Sequence, residues 1–122
     1  MITRYALFEG KIHEGQTQAF RAAVLADVLP HWNSFPGVLA VRVCFENERD
    51  EGAPEIPLIL AISYPDHATM TAALASPQRA LAKAATEALL ERLFTGRIHH
   101  HVMEAVEEIG RASCRERVLM PV

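Results

Sequence analysis

One run of ten residues limits this chain more than any other: Ile56-Pro57-Leu58-Ile59-Leu60-Ala61-Ile62-Ser63-Tyr64-Pro65. It is apolar at nearly every position, not only at every second one. That is the pattern of a strand covered on both faces. Pro57 and Pro65 bracket it, and proline cannot donate to a sheet ladder except at a strand's margin. The chain therefore needs a sheet with this strand inside it and with cover above and below.

At 122 residues the chain has the length of one domain. Half of its residues are hydrophobic but only 7% are aromatic, so the core is expected to be aliphatic and alanine-rich. The formal net charge of −3 is mild and the basic residues are dispersed. No basic stripe with interleaved aromatics is present, which argues against a nucleic-acid partner. No apolar run approaches the roughly 20 residues that span a bilayer, so no membrane segment is expected. Met1 to Tyr5 carries no signal-peptide pattern. Two widely separated cysteines give neither a disulfide framework nor zinc-type spacing. A reducing, cytoplasmic setting follows as the expectation, with Cys44 packed as a small hydrophobe.

Ile2 to Phe8 reads as a strand with apolar residues on both faces, Arg4 being the exception on the face of Ile2, Ala6 and Phe8. Glu9 to Gly15, with two glycines, reads as a loop. Gln16 to Leu29 reads as a helix: Phe20, Val24 and Val28 repeat every four residues, and Leu25 and Leu29 widen the stripe. Pro30 is expected to stop or kink it. Pro36-Gly37 is a turn signal, and Val38 to Glu46 alternates as a strand nearer an edge. Asn47 to Glu55 is polar and reads as an exposed hairpin loop leading into the central strand. Asp66 suits an N-cap for a short helix through Ala75. Ser76-Pro77 suits a second helix start. Leu81, Ala85, Leu89 and Leu93 then form an apolar stripe, Thr95-Gly96 ends the helix, and Arg97 to Val106 forms the last strand.

The order is strand, helix, strand, strand, helix, strand: an α+β, ferredoxin-like βαββαβ arrangement with a four-stranded antiparallel sheet and the helices on one face. Right-handed crossovers put the first and third strands in the middle. The second sheet face is then uncovered although its residues are partly apolar, and such a patch usually marks an interface. A homodimer with two sheets face to face is the expected assembly.

The stretch Ile109-Gly110-Arg111-Ala112-Ser113-Cys114-Arg115-Glu116-Arg117-Val118 has no periodicity of either kind. It resembles a translated read-through of a common DNA-sequencing adapter. The domain is therefore expected to occupy residues 1–108, with 109–122 a non-native tail; the other reading is a genuine extension.

Residues 1–108 resemble the dimeric α/β-barrel superfamily, and most of all its EthD-like branch. The resemblance is carried by His31-Trp32-Asn33-Ser34-Phe35-Pro36-Gly37-Val38 after the first helix, by the short-then-long helical crossover, and by a last strand ending Val102-Met103-Glu104. That superfamily includes cofactor-independent monooxygenases of aromatic polyketides, haem-degrading enzymes, lactone isomerases and dye-decolorising peroxidases. The resemblance implies the fold and the dimer; a fold by itself leaves the chemistry open.

Candidate site residues follow from position and type. His31 is the acid/base candidate, since an ordinary imidazole pKa near 6.5 suits proton transfer at neutrality; the bland reading is a helix-end histidine beside a core-plugging Trp32. In the run His99-His100-His101 only His99 and His101 share a strand face, while Glu104 falls with His100 on the other. Two histidines fall short of the three or four protein ligands of a zinc site, so no metal is expected. Arg42 could hold an anionic group or pair across a dimer, and Tyr64 could bring its hydroxyl to a pocket rim. Haem needs a single axial histidine, but the aromatic lining is thin and no cofactor is expected. The carboxylates of Glu48-Arg49-Asp50-Glu51 read as a solvated charge run. The expected function is binding of a small hydrophobic organic molecule, with oxidation or isomerisation by a cofactor-independent monooxygenase or isomerase as the chemistry. His31 would be catalytic, and Trp32, Tyr64, His99, His101 and Arg42 would line the site. The alternative is a non-catalytic auxiliary or ligand-binding dimer.

Overall fold

The computed structural model describes residues 1–106; the unpatterned 109–122 stretch lies outside the described residues. The apolar run forms β3, Leu58–Tyr64, in which Leu58, Leu60, Ile62 and Tyr64 are buried and the residues between them half-buried. β1, Ile2–Ile12, pairs antiparallel with β3 on one side and with β4, Phe94–Glu104, on the other. β2, Ala40–Phe45, takes the outer side of β3. The order β2-β3-β1-β4 places the first and third strands in the centre, as expected.

The first helical region corrects the sequence reading. It consists of α1, Thr17–Ala23, a π-helical turn, Val24–Val28, and α2, Leu29–Asn33. Pro30 does not end it. The Leu29 N–H donates to the Val24 carbonyl, a bond one residue longer than the α-helical one. The extra residue widens the turn just before Pro30, and the proline itself falls in the first turn of α2, where no N–H is required. The chain thus stays helical through Asn33 and carries Trp32 inward behind Phe20, Val24 and Val28. Leu25 does not widen this stripe; it is exposed.

The turn at Pro36-Gly37 forms as expected. Val38 N–H donates to Phe35 O at 3.4 Å, and Gly37 sits at φ 77°, where a side chain would be strained. Asp66 caps α3, His67–Leu74, by accepting from Thr69 N–H at 2.8 Å. Ser76 caps α4, Pro77–Leu93, by accepting from Arg79 N–H at 3.3 Å. On α4 the inward residues are Ala82, Leu89 and Leu93, with Leu81 exposed and Ala85 at the margin.

Two further corrections concern glycines. β1 runs on through Gly10 to Ile12, and Thr95-Gly96 lies inside β4. Gly10 and Gly96 are direct partners in that ladder, and a Cβ on either would overlap the backbone of the other strand. Both glycines are therefore strand residues. Beside them Phe94 stacks on Phe20 at 5.8 Å and meets Phe8 edge-on at 6.3 Å, closing this end of the core.

The buried hydrophobic residues all belong to the helices, the loops beside them, or the sheet face beneath them. The opposite face carries the register rows Arg42, Ala61, Tyr5, His101 and Cys44, Ile59, Leu7, His99, and among the described residues no helix packs over them. Among the described residues no helix is long and apolar enough to cross a membrane.

Candidate ligand cavity between sheet and helices

A cavity of about 170 Å³ opens between the sheet and the helices. Ala6, Phe8, Leu60, Ile62, Ile98, Trp32 and Phe35 supply apolar wall, and Ala82 lines it from α4. The polar lining is Arg4, Tyr64, Arg79, Lys83, Thr86, Glu87 and His100.

Strand register explains how the sheet residues arrive. Arg4, set in the apolar face of β1, lies between Ile62 on β3 and Val102 on β4. His100 lies opposite Ala6, one row along, and Tyr64 opposite Ile2. From above, the Ser76 cap fixes where α4 begins and hence where Arg79 falls, in its first turn. Lys83, Thr86 and Glu87 follow on the same helical face. The Thr86 hydroxyl is already committed, donating to Ala82 O at 2.8 Å.

Burial lowers the Arg4 guanidinium below its ordinary value, and the neighbouring Arg79 charge lowers it further. Burial raises the Tyr64 phenol, against the pull of Arg4 and Arg79. His100 is lowered to about 4, by partial burial first and then by Arg4, Arg79 and His99. At neutral pH the cavity thus presents two guanidiniums, the Lys83 ammonium and the Glu87 carboxylate beside an un-ionised phenol and an uncharged imidazole. His100 stands at the rim with much of its surface exposed, so water still screens it. The Tyr64 hydroxyl is buried and has no hydrogen-bond partner among the described residues. The ion pairs among those residues join Lys11, Arg49 and Arg97 to Glu9, Glu46 and Glu55; neither Arg4 nor Arg79 takes part in one.

The six residues expected from sequence do not converge. Trp32 and Tyr64 line the cavity. His31, one position before Trp32 on α2, is not part of the lining; its carbonyl accepts from the Ser34 hydroxyl at 2.6 Å. His99, His101 and Arg42 point to the other face of the sheet, because they alternate with His100 and with the core residues of β2. There His99 Nε2 lies 3.1 Å from Glu9 Oε1, and the His99 and His101 rings meet edge-on at 5.7 Å. His101 borders a shallow apolar depression with Tyr5, Leu7, Ile59 and Met103. Arg4, Arg79 and His100 are the cavity residues that sequence reasoning missed. Arg4 was detectable as the one charge on an apolar strand face, and His100 as the member of the triplet set apart from its neighbours. Nothing local marks Arg79. Among the described residues no three His, Cys, Asp or Glu side chains gather as a metal site.

No family model matches the chain, and no curated protein sequence matches it. Solved structures do. An ethyl tert-butyl ether D (EthD) family protein from Bacillus halodurans superposes with a TM-score of 0.65 at 19% identity, over 87% of this chain and 99% of that one. SnoaB, a cofactor-independent oxygenase from Streptomyces nogalater, gives 0.59 at 18% identity, over 88% and 95%. A dimeric protein of unknown function and ferredoxin-like fold from Bacteroides fragilis gives 0.58 at 10% identity, over 85% and 95%. The chain therefore has the α+β ferredoxin-like fold of the EthD-type and oxygenase structures.

Proposed function

We propose that this chain binds a small, largely apolar organic molecule in the helix-side cavity and moves a proton on it, as a cofactor-independent monooxygenase or an isomerase does. The cavity carries the reading: apolar walls around an uncharged imidazole and two guanidiniums are the parts needed to hold and ionise an acidic C–H compound. The name of SnoaB as a cofactor-independent oxygenase supports the same chemistry.

Because His31 lies off the cavity, the base role falls to His100. Its ring accepts the proton, and the net positive charge around the cavity favours the enolate that develops. The imidazolium is disfavoured while both guanidiniums are uncompensated. It becomes easier to form as negative charge grows on the substrate, so the stabilisation is greatest where the barrier lies. In the oxygenase form the carbanion, on a carbon that keeps one hydrogen, gives an electron pair to dioxygen, and the new C–O bond and one proton make a hydroperoxide. Loss of the remaining C–H proton with cleavage of the O–O bond expels the distal oxygen as water and leaves a ketone. In the isomerase form the proton returns at another carbon.

The second part of the proposal is a homodimer, with the open sheet face against its copy. The depression bordered by Tyr5, Leu7, Ile59 and Met103 is largely apolar, with Glu104 at its border, and has no cover among the described residues; the dimeric Bacteroides fragilis neighbour supports the assembly. Cys44 is exposed in the single chain, not packed as the small hydrophobe expected from sequence; an unpaired thiol among the described residues suits a reducing cytoplasmic setting.

The test is turnover of enolisable aromatic ketones under air, followed by product mass. His100→Gln is expected to slow turnover by about 10²–10⁴-fold while the protein stays folded. Saturable binding with no product from any such compound would favour the auxiliary, non-catalytic reading. An unchanged rate in folded His100→Gln would remove the base assignment.

A further inference from the structure

We infer that the molecule taken by this cavity is an organic monocarboxylate, its carboxylate bridged between Arg4 and Arg79 and its apolar body lying against Trp32 and Ile62. The inference rests on the reading of the cavity as the ligand site, and it adds the charge class of the ligand.

Two independent features support it. Arg4 and Arg79 face one partly buried space from different elements, the sheet and α4, and neither has a counterion among the described residues. Two like charges brought together out of water repel each other, and a carboxylate between them removes that repulsion while accepting hydrogen bonds from both. The Tyr64 hydroxyl is fully buried against the same space with no partner of its own. An O–H there needs an acceptor, and a carboxylate oxygen is one.

The other charged groups around the cavity agree. Lys83 adds positive charge one turn after Arg79. Among the described residues Glu87 is the only acidic one lining the space, and it makes no ion pair with either guanidinium. His100 is uncharged at neutral pH and accepts or donates without adding charge of its own. The apolar walls exclude a highly polar ligand body. Together these features fit a single anionic end on an otherwise apolar molecule.

The chain contains one tryptophan, Trp32, and it lines the cavity, so its indole N–H resonance reports occupancy directly. The experiment titrates cinnamate and its neutral isostere cinnamamide into the protein at pH 7 and follows that resonance. Cinnamate is expected to bind at least about tenfold more tightly, one charge-assisted hydrogen-bonded contact being worth that much or more. Arg4→Met and Arg79→Met are each expected to cut the cinnamate-over-cinnamamide preference to under about twofold, the ratio being read within each variant. Thermal unfolding checks that each variant is folded. If Arg4→Met does not fold, Arg79→Met, on the outer helix, decides the matter. Equal affinities for the two probes, or a preference that survives in the folded variants, would overturn the carboxylate inference and leave the apolar cavity reading standing. An indole signal that neither probe moves would overturn both.

Discussion

The two faces of one sheet behave as different materials. Beneath the helices the strands present Leu58, Leu60, Ile62, Ala6 and Phe8, buried and packed, with a cavity cut into them at Arg4 and His100. On the other side the same strands present Leu7, Ile59, Tyr5, His99 and His101, none of them buried in the single chain. The histidine triplet shows how little separates the two: a shift of one residue moves an imidazole from the cavity rim to the open face. Side-chain alternation thus lets one pair of strands line both the cavity proposed to hold a ligand and the face proposed for assembly.

The comparison can be broken most forcefully in the core. Leu58→Ala, at a fully buried position, is expected to lower unfolding free energy by about 2–5 kcal/mol in chemical denaturation. Ile59→Ala, its neighbour on the open face, should cost under about 1.5 kcal/mol in dilute, monomeric protein. Similar losses at the two positions would mean that the faces do not differ as described. The open face is tested by Ile59→Glu, which places one charge from each copy in the proposed interface. Dimer dissociation measured by sedimentation should strengthen about a hundredfold or more, with the affinity for cinnamate unchanged. A dimer that tolerates this charge would be built on another surface.

The pH dependence separates the faces more finely. Unfolded His100 titrates near 6.5, whereas in the folded chain it is lowered to about 4 by partial burial, Arg4, Arg79 and His99. Above about pH 6.5 both states are neutral there and the full stability is present. As pH falls from 6.5 toward 4 the unfolded state takes up the proton first, so stability declines, and below about 4 the contribution levels off. With the ring partly in solvent, the loss should be on the order of 1 kcal/mol. His100→Gln should remove that slope in urea midpoints taken across the window; an unchanged slope would show that the ring is not desolvated. The smallest effect is expected from Arg42→Ala on the exposed edge strand, within about 0.5 kcal/mol of the parent.

Most of the fold was legible because its signals are local and repeat. The apolar run, the Asp66 and Ser76 caps and the Pro36-Gly37 turn each correspond to one physical requirement. The failures arise where a contact distant in sequence overrides a local habit. Pro30 reads as a stop, yet a π turn upstream removes its conflict with the helix, and Trp32 becomes a core residue within α2. Gly10 and Gly96 read as loop and helix-end signals because each meets its reason, the other glycine, only once β1 and β4 pair. On α4 several neighbouring Ala and Leu positions are all apolar, so periodicity could not choose between Leu81 and Ala82 as the inward residue.

The site was less legible for the same reason. Trp32 and Tyr64 do line the cavity, as large side chains beside element ends often do. His99, His101 and Arg42 were assigned to the same space as Tyr64, and strand alternation sends them away from it. Arg79 carries no mark in the sequence at all, since its meaning depends on α4 lying over Arg4.

The three adjacent histidines provide the most direct single measurement. Their imidazole resonances, assigned in the intact chain, would be recorded with and without saturating cinnamate. The account predicts a shift at His100, on the cavity rim, with His99 and His101 far less affected on the opposite face. A shift at His101 or His99 with His100 unmoved would place the ligand on the open sheet face and contradict the division of labour proposed for the two sides.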